Sequence, residues 1–348
     1  MNRIPLTFHG VRFPVTPIPL TRGPSGPSPL RPSRSIRRSA SVDMSWPGGL
    51  GTQLRLEGRA RDAITDLSSE PPTQVDSATT SVGIGPSRNI QDIACTPERA
   101  NIEALIGSRG GGNLRSVLDQ VLPGERESGS PLHLLLDDIS GTSLIAGFAW
   151  SRWQPQRMES GLGQGGLSSM EGVCIGFRPG SSALHNDTRP GGNGRAQRVV
   201  SLVNPADPAG WHALPEQPKM SMRRARRIDV WIDAARDGEI VIDSAFQDRC
   251  GDPDLGRIAV HEYLLQATID SASMTVSSIT PDPRILPFEE CPSAVLTAQA
   301  IVGASVAKLR FTVLELLAKT NGCTHLNDAM RALADVPVLI AHLRRAFG

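Results

Sequence analysis

The sequence predicts an α+β protein of two tandem related units. Each is expected to be an antiparallel β-meander of three to four strands covered on one face by helices, the pair packed with approximate twofold symmetry. Three observations predict this. Arg37-Arg38-Ser39-Ala40-Ser41-Val42-Asp43-Met44 is echoed by Arg223-Arg224-Ala225-Arg226-Arg227-Ile228-Asp229-Val230. Each echo leads into segments of period two and then into segments of helical period. Ile106-Gly107 also answers Val302-Gly303, equal steps back from those glycines pair Cys95 with Cys291, and Leu132-His133-Leu134 answers Thr324-His325-Leu326.

The 348 residues suit two domains of ordinary size. With 36 Lys and Arg against 35 Asp and Glu, net charge gives no reason to expect nucleic acid or a bilayer surface as partner. Cysteines at 95, 174, 250, 291 and 323 are too scattered for a disulfide framework, and no apolar run approaches the ~20 residues of a spanning helix. A reducing cytoplasm is the expected compartment. One Tyr and eight Phe beside 34 Gly and 28 Pro imply cores of Leu, Val, Ile and Ala with much irregular connection.

Residues 1–36 are expected to form a disordered, basic, Pro/Ser-rich tail, since the first 40 residues hold seven Arg and no Asp or Glu. Pro interrupts every stretch that could serve as a secretory h-region. A targeting segment or an over-extended start would share this composition, so membership of the mature protein stays open. The first unit, 37–150, is expected to place strands around Leu54 and Leu56, at Ser81–Ile84 and at Ile90–Ala94. Helical spacing follows from Ala100 to Leu122, broken at Gly110-Gly111-Gly112, and again from Pro131. Residues 151–219 are rich in Gly, Ser, Pro and Asn and are expected to be a linker or long loop. Gly161–Gly166 and Gly191–Gly194 lack the preceding strand, the following helix and the Gly-Lys-Ser/Thr of a phosphate loop, so no nucleotide cofactor is expected. The second unit, 220–348, is expected to have strands at Ile228–Ile232, Ile240–Phe246, Ile258–Ile269 and Met274–Ile279, then helices.

The candidate chemistry lies in that second unit. A helical run through Val306, Leu309, Val313 and Leu317 stops at Asn321-Gly322, and another begins with Leu326, Met330 and Leu333. Cys323 then stands at a helix N-terminus, where free N–H groups favour a thiolate, with His325 close by. Cys291 precedes Pro292 at a second helix start. His261 falls on the apolar face of its strand with Tyr263 and Leu265. His261, Cys291, Cys323 and His325 therefore form a candidate ligand set for zinc or an iron–sulfur cluster, with Glu262, Glu289, Glu290 and Asp328 nearby. The plainer alternative makes each Cys a small buried hydrophobe and His261 a core histidine. Cys250 is a rival ligand in a polar turn, and Cys174 is expected to pack. The basic runs at Arg37-Arg38 and Arg223–Arg227 lack interleaved aromatics and are expected to be solvated strand starts rather than nucleic-acid contacts.

His261-Glu262-Tyr263, Leu286-Pro287-Phe288-Glu289-Glu290-Cys291-Pro292 and Cys323-Thr324-His325-Leu326-Asn327-Asp328 resemble the motifs of the domain of unknown function 2889 family, particularly its long actinobacterial members. The resemblance extends over about 35 to 345 and implies no activity. A more remote similarity is to the NifU/SufE-type scaffold fold. That likeness implies a central Cys at Cys291 and a last Cys at Cys323, while His261 stands where the scaffold has its first Cys, a departure from the pattern. The first unit keeps only Cys95 and His133 and is expected to be a structural partner.

Three functions follow from these residues. One is a metal or cluster site serving as scaffold or Lewis acid. Another is a metal-free cysteine enzyme with Cys323 as nucleophile and His325 or His261 as base. The third is a structural module presenting a surface to a protein partner. The sequence leaves open whether the chain is an enzyme, and fixes neither partner nor oligomeric state.

Overall fold

The computed structural model of the chain describes residues 7–8, 11–12, 20–154, 170–185, 195–236 and 238–348. Eight long strands make one antiparallel sheet: β1 Ser35–Ser45, β2 Leu54–Thr65, β3 Thr73–Ile84, β4 Ile90–Thr96, β5 Ser221–Asp233, β6 Glu239–Asp252, β7 Gly256–Asp270 and β8 Thr275–Ile285. The spatial order is β8-β7-β6-β5-β1-β2-β3-β4, with the two-residue strand Gln197–Arg198 added beside β7. Each half of the chain is a four-strand meander, and the two meanders join edge to edge where β1 pairs antiparallel with β5, from Ser35 opposite Trp231 to Ser45 opposite Ser221.

The outer strands follow the alternation that one covered face imposes. In β2, Leu54, Leu56, Gly58 and Ala60 are buried while Arg55, Glu57, Arg59 and Arg61 face the other side. The central strands do not alternate, because both faces are covered. Arg37, Arg38, Arg223, Arg224 and Arg227 are at most 2% exposed, so the basic runs are interior and not the solvated strand starts that their composition suggested. Removing a guanidinium from water costs several kcal/mol, and each of these is met by a carboxylate. Arg37 Nε donates to Asp229 at 2.5 Å and Arg223 Nε to Asp43 at 2.6 Å, across the β1–β5 joint in both directions. On the other face Arg38 forks onto Asp62 (2.7 and 2.6 Å) and Arg224 onto Asp248 (2.8 and 3.0 Å). Planar bidentate pairs of this kind are what Arg supplies and Lys does not.

Helices cover the second of these faces: α1 Leu114–Val121, α2 Pro131–Ile145, α3 Leu309–Leu316, α4 Thr324–Ala332 and α5 Val336–Phe347. Ser130 caps α2 by accepting from the His133 N–H, and Pro131 occupies its first turn. The helices interlock the halves. α2 sends Asp138 to Arg226 of β5 (2.9 Å), and Asp335, at the start of α5, receives Arg38 of β1 (2.7 Å). Buried apolar residues of both halves form one continuous core.

The expected tail and linker are partly drawn into this body. Arg31 is 3% exposed and pairs with Asp207, Trp211 Nε1 donates to Ser28 Oγ, and Arg37 donates to the Pro29 and Gly210 carbonyls, so 28–31 and 207–212 lie on the sheet face opposite the helices. An ion pair and an indole hydrogen bond hold segments whose apolar content alone gives no reason to order. The Gly-rich pieces 161–166 and 191–194 lie outside the described residues. Among the described residues, no helix is long and apolar enough to cross a membrane.

Candidate metal centre

The turn at Cys323 is built by close backbone approach. Gly322 is extended (φ −149°), and a Cβ on it would meet the Leu317 carbonyl oxygen at 2.6 Å and the Asn327 amide at 2.8 Å. Asn327 Nδ2 in turn donates to Leu317 O at 2.7 Å, closing α3 onto α4. Cys323 caps α4 with extended backbone (φ −103°, ψ 127°), and the following turn carries His325 down onto the sheet.

There His325 meets His261 of β7. The two rings stack with centroids 3.4 Å apart and 17° between planes. Both edges face one carboxylate: His261 Nδ1 and His325 Nε2 each stand 3.5 Å from Oδ2 of Asp248 on β6. One ligand atom from each of the three lies within 4.8 Å of the others. Asp248 is fully buried, His261 is 5% exposed, and the His325 side chain is the most open at 17%. The 3.5 Å separations exceed ordinary N–H···O distances, and His261 Nδ1 has no hydrogen-bond partner among the described residues. On its far edge His325 Nδ1 lies 3.4 Å from Thr324 Oγ1 and 4.0 Å from Cys323 Sγ.

The charge states follow from these neighbours. Burial alone would raise the Asp248 carboxyl, but Arg224 beside it, with the His261 edge, holds it far below the usual range. Burial pulls His261 down, partly offset by Asp248, and burial with His261 beside it pulls His325 well down, so both rings are neutral and carry free lone pairs. Arg224 also reaches Asp138 (3.4 Å) and Asp328 (3.5 Å), which ties Asp248 to α2 and α4.

Of the thiols, Cys323 borders this trio at the outer edge of His325. Cys291 is 4% exposed, and a Cβ on Gly176 would stand 2.7 Å from its Sγ and 3.8 Å from Cys174 Sγ. Cys323, Cys291 and Cys174 gather around the buried hydroxyl of Tyr263. The helix end was expected to favour a Cys323 thiolate. Burial instead raises the thiol, and the N–H groups of Leu326 and His325 offset only part of that. Cys250 is buried in β6 rather than placed in a polar turn, and burial pushes it up to about 12. Of the four residues expected to converge, His261 and His325 do so, Cys323 touches the outer edge of His325, and Cys291 lies behind Cys323 with Cys174. All five cysteines are free.

Asp248 was missed in the sequence. Its signal was parity: it shares a face with Ile242, Ser244 and Phe246, and an acid on a covered face needs a cation opposite, which Arg224 supplies in register.

A family model described as a protein of unknown function, DUF2889, matches residues 222–339. Those residues are a DUF2889 domain. The match is shorter than the 35–345 that the motifs suggested, and it contains Asp248, His261, Cys323 and His325 together. No curated protein and no solved structure matches the chain. Asp138, which backs Arg224 and Arg226, comes from outside the DUF2889 domain.

Proposed function

We propose that the DUF2889 domain binds one divalent transition-metal ion between Asp248, His261 and His325, with zinc the ion this donor set suits. The pair of 3.5 Å separations carries the proposal. Ligand atoms at ~2.0–2.1 Å from a tetrahedral ion stand about 3.3–3.4 Å from one another, whereas a hydrogen bond would draw them to about 2.7–3.2 Å. One carboxylate and two imidazoles suit zinc better than an iron–sulfur cluster, which is held mainly by thiolates. Arg224 orients Asp248, and Cys323 and Thr324 sit at the outer nitrogen of His325, the position from which neighbours set the tautomer of a ligand. An ion with three protein ligands keeps a position for water or substrate and supplies Lewis acidity there.

Cobalt substitution tests the assignment. Co(II) added to the full chain is expected to give visible absorption of a tetrahedral site that is lost in His261→Ala and in His325→Ala and kept in Cys323→Ser. Intense near-ultraviolet charge transfer that disappears in Cys323→Ser or Cys291→Ser would mean thiolate ligation and would overturn the Asp/His set.

We also infer that the two halves are copies of one unit. Arg37–Asp229 is mirrored by Arg223–Asp43, and Arg38–Asp62 is answered by Arg224–Asp248. The glycines match too, Gly107 donating to Ile90 O and Gly303 to Val276 O, each at 2.8 Å.

A further inference from the structure

On the sheet face opposite the metal centre, β1, β2 and β3 set three pairs of side chains abreast. Arg61 stands opposite Ser39 on one side and Ser77 on the other, and Arg59 opposite Ser41 and Thr79. His212 lies over the two β1 serines, with Ser39 Oγ 2.9 Å from Nδ1 and Ser41 Oγ 2.8 Å from Nε2. Arg59, Arg61, Gln74, Ser77, Thr79 and His212 surround a depression of about 210 Å³.

The positive charge here is not balanced locally. Among the described residues Arg59 pairs only with Asp43, at 3.4 Å, and Asp43 is already held by Arg223 at 2.6 Å. Arg61 donates from Nη2 to the Ala209 carbonyl, its Nε has no partner, and it makes no ion pair among the described residues. The nearest acid, Asp207, is taken by Arg31 and Arg37. Burial and then Arg61 pull His212 down to about 3, so the imidazole adds no charge of its own. Gln74 Nε2 donates to Ser77 Oγ at 3.2 Å, which leaves the Ser77 hydroxyl hydrogen free to donate outward.

We infer that this depression binds a phosphate group, free or as the monoester of a small metabolite, between Arg59 and Arg61 with Ser77 and Thr79 as further donors. Residues i and i+2 on one strand face have Cα atoms about 6.6 Å apart, a spacing from which two arginine side chains can reach different oxygens of one tetrahedral dianion. A carboxylate offers one charge and two oxygens for the same donors.

Titration calorimetry of the full chain with inorganic phosphate, and separately with glycerol 3-phosphate, tests this against acetate at equal ionic strength. Saturable one-to-one binding of phosphate or the monoester is expected, the tighter of the two identifying the free or esterified form. Arg61→Gln and Arg59→Gln are each expected to weaken it by about tenfold or more, the loss of a charge-assisted hydrogen bond. Thr79→Val, which keeps both charges and a strand-compatible side chain, is expected to weaken it by a smaller factor, and it stands in if an arginine variant fails to fold. No saturable binding up to about 10 mM, equal binding of acetate, or binding unchanged in the folded variants would overturn the inference.

Discussion

Asp248 is the buried partner of Arg224, so its removal is expected to cost stability as well as a metal ligand. Arg224 is 1% exposed and forks onto Asp248, so Asp248→Ala leaves a buried guanidinium facing only the longer contacts to Asp138 and Asp328. The expected cost is about 3–5 kcal/mol in urea denaturation, the magnitude for orphaning one member of a buried pair. An effect below about 1 kcal/mol would show that Asp138 and Asp328 suffice. His133 and His212 give a pH dependence of definite sign. Burial, with Arg310 adding to it, pulls His133 down to about 4, and burial with Arg61 pulls His212 down to about 3. Unfolded imidazoles titrate near 6.5, so below that pH the unfolded chain binds protons that the native state refuses. The stability from neutral His133 and His212 is full above about pH 6.5 and falls progressively toward about pH 4 for His133 and about pH 3 for His212. The urea midpoint is expected to drop across that window, less steeply in His133→Gln, and a flat profile would contradict the burial of these rings.

At the scale of elements, the turn into α4 decides whether His325 reaches the sheet. Gly322→Ala is expected to push the Leu317 carbonyl or the Asn327 amide aside, lower the thermal midpoint and weaken metal binding together, measured by calorimetry and cobalt absorption. Loss of stability with cobalt binding intact would free the site from this turn. The turn was legible in the sequence because Asn321-Gly322 ends one apolar period and Leu326 starts the next. The β7 histidine was legible from its parity with Tyr263 and Leu265. Asp248 was not, because one acid in a strand looks like an outward polar residue until register sets Arg224 opposite it. Nor did composition reveal that Arg37 and Arg224 are interior, since burial of a guanidinium depends on partners distant in sequence.

The eight long strands of both halves lie in one sheet, and that has consequences for the halves. The two meanders share the β1–β5 ladder, and Asp43 and Asp138 of the first half neutralise Arg223 and Arg226 of the second. A fragment 220–348 would contain the DUF2889 domain yet expose the long edge of β5 with those arginines unpaired. Such an edge is a template for further pairing, so the fragment is expected to self-associate in light scattering. A folded monomeric fragment would contradict the dependence of the domain on β1. The echo between Arg37–Met44 and Arg223–Val230 pointed toward related halves. That the two echoes pair with each other was not readable, since one set of period-two patterns serves equally for separate sheets or a shared one.

Whether Asp248, His261 and His325 hold a metal is read from elemental analysis of the full chain purified without chelator. About one equivalent of zinc or a related divalent metal per chain is expected, falling to background in a folded His261→Ala/His325→Ala variant. Background metal in the wild type, with no uptake on zinc titration, or equal metal in the variant, would contradict the account.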